Sequence, residues 1–167
     1  MPDLVAPGLD VLFCGINPGA WSGALGHHFA HPGNRFWKVL HLAGFTDVQL
    51  NAAEERRLLE CRLGITNLVS RTTTAAAELA PDELRRGAVQ LERTVRRVLP
   101  KTVAFLGIGA YRVAFARPRA TVGPQAETLA SVTVWLLPNP SGLQACYGMD
   151  RLVELFGALR ASVQGSA

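Results

Sequence analysis

The sequence predicts an α/β fold: a three-layer sandwich whose central, mainly parallel four-stranded sheet carries helices on both faces. Three observations lead there. Four short apolar runs recur along the 167 residues. Stretches with helical spacing separate them, so the strands are joined by crossovers. A hydrophobic fraction of 49% suffices for one sizeable core, hence a single domain over residues 1–167.

Val11-Leu-Phe-Cys14 is the first run, continuous as expected of a strand buried on both faces. It stops at Gly15-Ile16-Asn17-Pro18-Gly19. The two glycines permit dihedrals or close approaches that other residues cannot make, and Pro18 fixes φ. Asn17 is thereby presented on a stiff turn at the carboxyl end of a buried strand, where open α/β sheets bind ligands. An Asn that merely bonds its own backbone fits the same pattern. Ala20 to Pro32 has no period and reads as a loop, at a length that often accompanies function. His27, His28 and His31 fall in it without an accompanying Cys or carboxylate, which favours solvated or hydrogen-bonded histidines over a metal centre. Phe29 is either a loop anchor or an aromatic platform for a ring-shaped ligand.

Phe36, Leu40 and Ala43 give helical spacing within residues 34–43, and Gly44 ends it. Residues 51–61 read as a charged helix with Leu58 and Leu59 inward. Residues 64–69 form the second strand, which ends in the polar stretch Ser70-Arg71-Thr-Thr-Thr74. The clearest helix runs from Pro81 to Leu99. Pro81 suits the first turn, with Asp82 and Glu83 at the positive dipole end. Leu84, Ala88, Leu91, Val95 and Val98 form its apolar stripe. Arg85, Arg86, Arg93, Arg96 and Arg97 lie largely off that stripe, a solvated face by default. Residues 102–107 form the third strand, with a short helix from Gly109 or Ala110. Residues 132–137 form the fourth and run into Pro138-Asn-Pro-Ser-Gly-Leu-Gln144, a rigid loop. Asp150 then caps a final helix with Leu152, Leu155, Phe156 and Leu159 inward. Parallel strands bring their carboxyl ends to one edge. The Asn17 turn, the 67–71 loop and the 138–144 loop therefore converge there.

Seventeen Lys and Arg against thirteen Asp and Glu leave a net charge of +4, compatible with a nucleic-acid partner without requiring one. Arg dominates the positive charge, which fits phosphate recognition and a GC-rich genome equally well. Cys14, Cys61 and Cys146 are odd in number and form no CxxC pair, so they read as reduced thiols. No signal peptide is visible, and no apolar run approaches the roughly 20 residues of a membrane helix. A cytoplasmic protein with no membrane partner is expected.

Four stretches, in order, resemble the mismatch-specific uracil-DNA glycosylases, relatives of the thymine-DNA glycosylases. They are Gly15-Ile-Asn-Pro-Gly19, Phe29-Ala-His-Pro-Gly-Asn-Arg-Phe-Trp-Lys38, Leu68-Val69 with Arg71, and Leu137-Pro-Asn-Pro-Ser-Gly-Leu143. The resemblance implies a uracil-DNA glycosylase-like fold and excision of uracil, with thymine or related modified bases as further candidates, from G·U-type mismatches in double-stranded DNA. It implies that Asn17 positions the attacking water and that the extruded base stacks on Phe29. Backbone groups near Ile16 and Asn67 would read the uracil edge, with Ser22 in the pocket. Gly142-Leu143-Gln144 would enter the duplex, with Arg71, Asn139 and Ser141 also facing DNA. The chain departs from the family pattern at Ser70, often Asp, and at Ala145, often Arg. Asp82, which opens the helix after the Arg71 loop, is the one candidate for a helping carboxylate; an Asp there also serves the helix dipole. No metal or organic cofactor is needed. A monomer working on the bacterial nucleoid is the expected setting.

The residue chemistry is consistent with that reaction. A base inside a duplex must be extruded and its gap stabilised, and an apolar residue on a Pro-stiffened loop can do this at little entropic cost. Three other readings share the same features. A nucleotide-binding enzyme could use this strand edge, although no P-loop or dinucleotide fingerprint is present. A catalytically weak reader of DNA damage could keep the loop and lose turnover. A purely structural α/β domain would account for the core but not for polar turns recurring at strand ends.

Overall fold

The computed structural model describes residues 1–142 and 146–165. Strands β1 (Val11–Gly15), β2 (Leu63–Asn67), β3 (Thr102–Leu106) and β5 (Thr133–Leu137) are the four expected from sequence, and their pairings are all parallel. A fifth, β4 (Gly123–Pro124), pairs antiparallel to β5, so the sheet has five strands in the order β2-β1-β3-β5-β4. Two residues, one of them proline, carry no alternation from which a strand could be read.

The continuous apolar run of β1 reflects its central place, with all five residues buried. Alternate side chains enter different cores. Val11 and Phe13 pack with α2 (Phe36–Leu42) and α5 (Met149–Gln164). Leu12 and Cys14 pack on the opposite face with α3 (Pro81–Val98) and α4 (Ile108–Ala114). The Phe13 ring meets Phe36 edge-on at 5.4 Å and stacks with Phe156 at 6.1 Å. These are the three layers expected from the crossovers.

Three local expectations need correction. The stretch after β1 is not all loop, since Ala20–Leu25 forms a short helix, α1. It buries only Ser22 and leaves Trp21 and Leu25 exposed, so no apolar stripe announced it. The charged segment Ala52–Cys61 is a 3-10 helix that buries Leu58 and opens at Asn51, whose backbone N–H donates to Glu54 Oε1 at 3.2 Å. Helix α5 is capped by Gly148, and Asp150 lies inside its first turn, where a carboxylate still favours the dipole. Among the described residues no helix is long and apolar enough to cross a membrane.

Strand order places the site. The chain leaves β1 toward β2 on one side, and leaves β3 toward β5 on the other. A crevice opens at the carboxyl ends of sheets wired in this way.

Candidate active site

The turn after β1 is zipped to the segment after β2. Leu68 N donates to Gly15 O at 2.8 Å, Val69 N to Ile16 O at 2.9 Å, and Thr73 N to Pro18 O at 3.1 Å. Within that frame the Asn17 side chain is held by its amide nitrogen. Nδ2 donates to Arg71 O and to Thr73 Oγ1, both at 2.8 Å, and lies 3.3 Å from Pro18 O. Because the nitrogen is anchored, the assignment of the two amide atoms follows from the network, and Oδ1 is left without a partner among the described residues.

Asn17 lines a cavity of about 580 Å³, within the size range of small-molecule sites. Ile16, Ser22, Phe29, Asn67, Asn139, Ser141 and Gly142 line the same cavity. The three loops expected to converge do so through their described residues, Asn17, Asn67, Asn139, Ser141 and Gly142. Phe29 is the loop anchor its sequence context allowed, and it also lines the cavity. Its backbone turns through a left-handed conformation (φ 52°), its carbonyl accepts from Trp37 Nε1 at 3.3 Å, and its ring stacks on Phe36 at 4.1 Å. The ring is half-buried and remains part of the cavity wall. Ser22 is buried, with Oγ accepting from Ala30 N at 3.1 Å. The side chain of Asn67 has no partner among the described residues, so both ends of its amide are available to a ligand.

Gly15 explains how these groups come so close. A Cβ there would lie 2.8 Å from Asn67 Oδ1 and 3.4 Å from two carbons of the Phe29 ring. Only a residue without a side chain lets the Asn67 amide and the Phe29 ring share one wall.

Other candidates fall elsewhere. Asp82 does not line the cavity; its largely exposed carboxylate pairs with Arg85 at 2.9 Å, as a first-turn residue of α3 does. The guanidinium of Arg71 is taken by Glu83, at 2.9 and 3.0 Å, so Arg71 serves the site through its carbonyl. That guanidinium, with the Ala80 N–H, holds the Glu83 carboxyl down to about 2. Asn139 Oδ1 accepts from Ser141 N at 2.9 Å and stiffens the loop after β5. Leu143 and Gln144 lie outside the described residues.

Sequence reading missed three contributors. Thr73 accepts from Asn17 and donates to Ala75 O at 2.9 Å; the run of three threonines showed polarity without showing which one turned inward. His28 is almost fully buried beside the cavity, with Nδ1 3.0 Å from Glu55 Oε2 and its N–H donating to the same oxygen at 2.8 Å. Its Nε2 has no partner among the described residues. Glu55 lies 27 positions away on the 3-10 helix, so the carboxylate that accompanies the histidines was invisible to local spacing. Arg35 is the third, and its contacts are given below. No three His, Cys, Asp or Glu among the described residues are placed to share a metal ion.

The arrangement presents one fixed acceptor oxygen, a stacking ring and an unspent amide around a space fit for a planar heterocycle. Comparison with known proteins agrees with the fold. A solution NMR structure of a uracil DNA glycosylase candidate from Methanosarcina acetivorans superposes with a TM-score of 0.67. Identity is 16%, over 98% of this chain and 96% of that one, which establishes a shared fold. The sequence model of the uracil DNA glycosylase superfamily matches residues 2–160, nearly the whole chain. The chain belongs to the uracil DNA glycosylase superfamily.

Proposed function

We propose that this protein is a monofunctional DNA glycosylase that excises uracil from G·U mismatches in double-stranded DNA and leaves an abasic site. The observation that carries the reading is the anchored Asn17 amide, whose Oδ1 is the open acceptor of a cavity walled by Phe29. The mismatch preference rests on the family resemblance of the four ordered stretches, 15–19, 29–38, 68–71 and 137–143, taken together.

In this reading the target nucleotide leaves the stack and its base enters the cavity against Phe29. Stacking of this kind contributes about 1–3 kcal/mol per base. Breaking the base–sugar bond sends the bonding electron pair to the uracil ring and leaves positive charge on the sugar. The Asn67 amide and the Ser22 hydroxyl are among the side-chain donors that line the cavity and face the departing anion in this reading. Water then adds its oxygen to the sugar C1′, and its proton leaves to solvent or to the uracil. Asn17 has no basic nitrogen, so it orients that water through Oδ1 and does not deprotonate it. Slow chemistry is expected.

The test is release of free uracil and an alkali-labile site from a G·U duplex, compared with Asn17→Ala. A wild-type protein that binds this duplex and releases nothing would instead be a reader of damage.

A further inference from the structure

Arg35 stands in the Asn34-Arg-Phe-Trp37 stretch, and nothing in the chemistry above uses it. Its half-buried side chain reaches the loop after β5 and donates to three carbonyl oxygens. Nε donates to Pro140 O at 3.2 Å, Nη2 to Ser141 O at 3.2 Å, and Nη1 to Tyr147 O at 2.6 Å. The Arg35 backbone N–H also donates to Pro140 O, at 3.0 Å. One planar guanidinium therefore ties Pro140 and Ser141 to Tyr147. The backbones also meet closely here, since a Cβ on Gly142 would lie 2.7 Å from Gly33 O. The next residue, Phe36, opens α2 and stacks on Phe29. Two consecutive residues therefore hold the aromatic wall of the cavity and the loop that supplies Asn139, Ser141 and Gly142 to it.

We propose that Arg35 is a positioning residue that fixes the spacing between the Phe29 platform and residues 138–142, which follow β5, and that it acts on extrusion of the nucleotide and not on bond cleavage. The proposal rests on the glycosylase reading above. Its physical basis is the fork of the guanidinium, which makes several charge-assisted bonds in fixed directions. A lysine, a point charge on a flexible stem, cannot reproduce them together.

The experiment uses the whole protein and a G·U duplex with 2-aminopurine beside the uracil, whose fluorescence reads extrusion separately from excision. Hydrogen exchange of residues 138–142 in the free protein reads the clamp itself. In Arg35→Ala, extrusion amplitude and single-turnover excision should fall together, by about tenfold or more. Exchange in 138–142 should quicken while β1 and β3 stay protected, and Arg35→Lys should recover part of both. Should Arg35→Ala not fold, Arg35→Gln, which keeps an amide donor on a shorter stem, carries the same comparison. Excision lost with extrusion intact, or a folded variant unchanged in both, would overturn the proposal. A wild-type protein that extrudes without excising would sink the glycosylase reading and leave Arg35 to be judged on amplitude. No extrusion at all would overturn both.

Discussion

Asn17→Ala removes the acceptor oxygen that the network around Nδ2 holds in place. A preorganised hydrogen-bonding group at a reacting centre is worth about 2.7–4 kcal/mol, so single-turnover excision should fall by roughly two to three orders of magnitude. The stability cost follows from the same contacts. Two well-formed bonds from Nδ2 to neutral acceptors are lost, at about 1 kcal/mol each. For a chain of this size that lowers Tm by roughly 4–8 °C, which leaves the variant folded at assay temperature. Thr73→Val separates aim from presence. It keeps Asn17 and its bond to Arg71 O but removes the second anchor, and about a tenfold loss is expected. Both variants are assayed by rapid quench on a G·U duplex at enzyme excess, with Tm measured in parallel. If folded Asn17→Ala cleaves within about threefold of wild type, the water is held elsewhere and the assignment of Asn17 is wrong.

Gly15→Ala places a methyl group against Asn67 Oδ1 and the Phe29 ring. Because the first obstacle is a side-chain end, we expect a Tm change of a few degrees but at least about a tenfold loss of kcat/KM. Equal, small effects on both would show that the Asn67 amide is not used. Phe29→Leu retains apolar bulk over Phe36 and loses the ring face, so excision should fall by about 5- to 150-fold at nearly unchanged Tm; a large Tm drop with normal excision would leave Phe29 as an anchor alone. Glu83 contributes through its Arg71 pair, and its folded carboxyl lies near 2 where the ordinary value is 4.5. A depressed carboxylate stabilises fully above its unfolded value and loses that contribution as pH falls. The Tm gap between wild type and Glu83→Gln should therefore be constant near neutrality and close between about 4.5 and 2. A gap that persists at the acid end would mean the pair is not its source.

What the sequence made legible was whatever local pattern controls. The unbroken apolar run at β1 announced a strand buried on both faces, and the stripe from Leu84 to Val98 announced α3 to within a residue. Convergence of three loops followed from parallel topology, because crossovers leave the carboxyl ends on one edge. Four of the positions the resemblance implied, Ile16, Asn17, Ser22 and Phe29, come from one continuous segment and line the cavity together. Illegible were the contacts that span sequence. Thr73 is 56 positions from Asn17, Glu55 is 27 from His28, and Arg35 is more than a hundred from the carbonyls it binds. The resemblance singled out Arg71 for its side chain, but not the carbonyl by which it holds Asn17 or the pairing of its guanidinium with Glu83. Short elements without a buried face, α1 and β4, had no period to read.

The account stands most directly on one measurement. Wild-type protein, in excess and in chelator-treated buffer, is incubated with matched duplexes carrying G·U, A·U and G·C at one position, and free base and alkali-labile strand are quantified together. The account expects uracil and abasic site in equal amounts from G·U, less from A·U, and none from G·C, with no dependence on added divalent ions. Failure to release uracil from G·U by a folded, duplex-binding protein would contradict it.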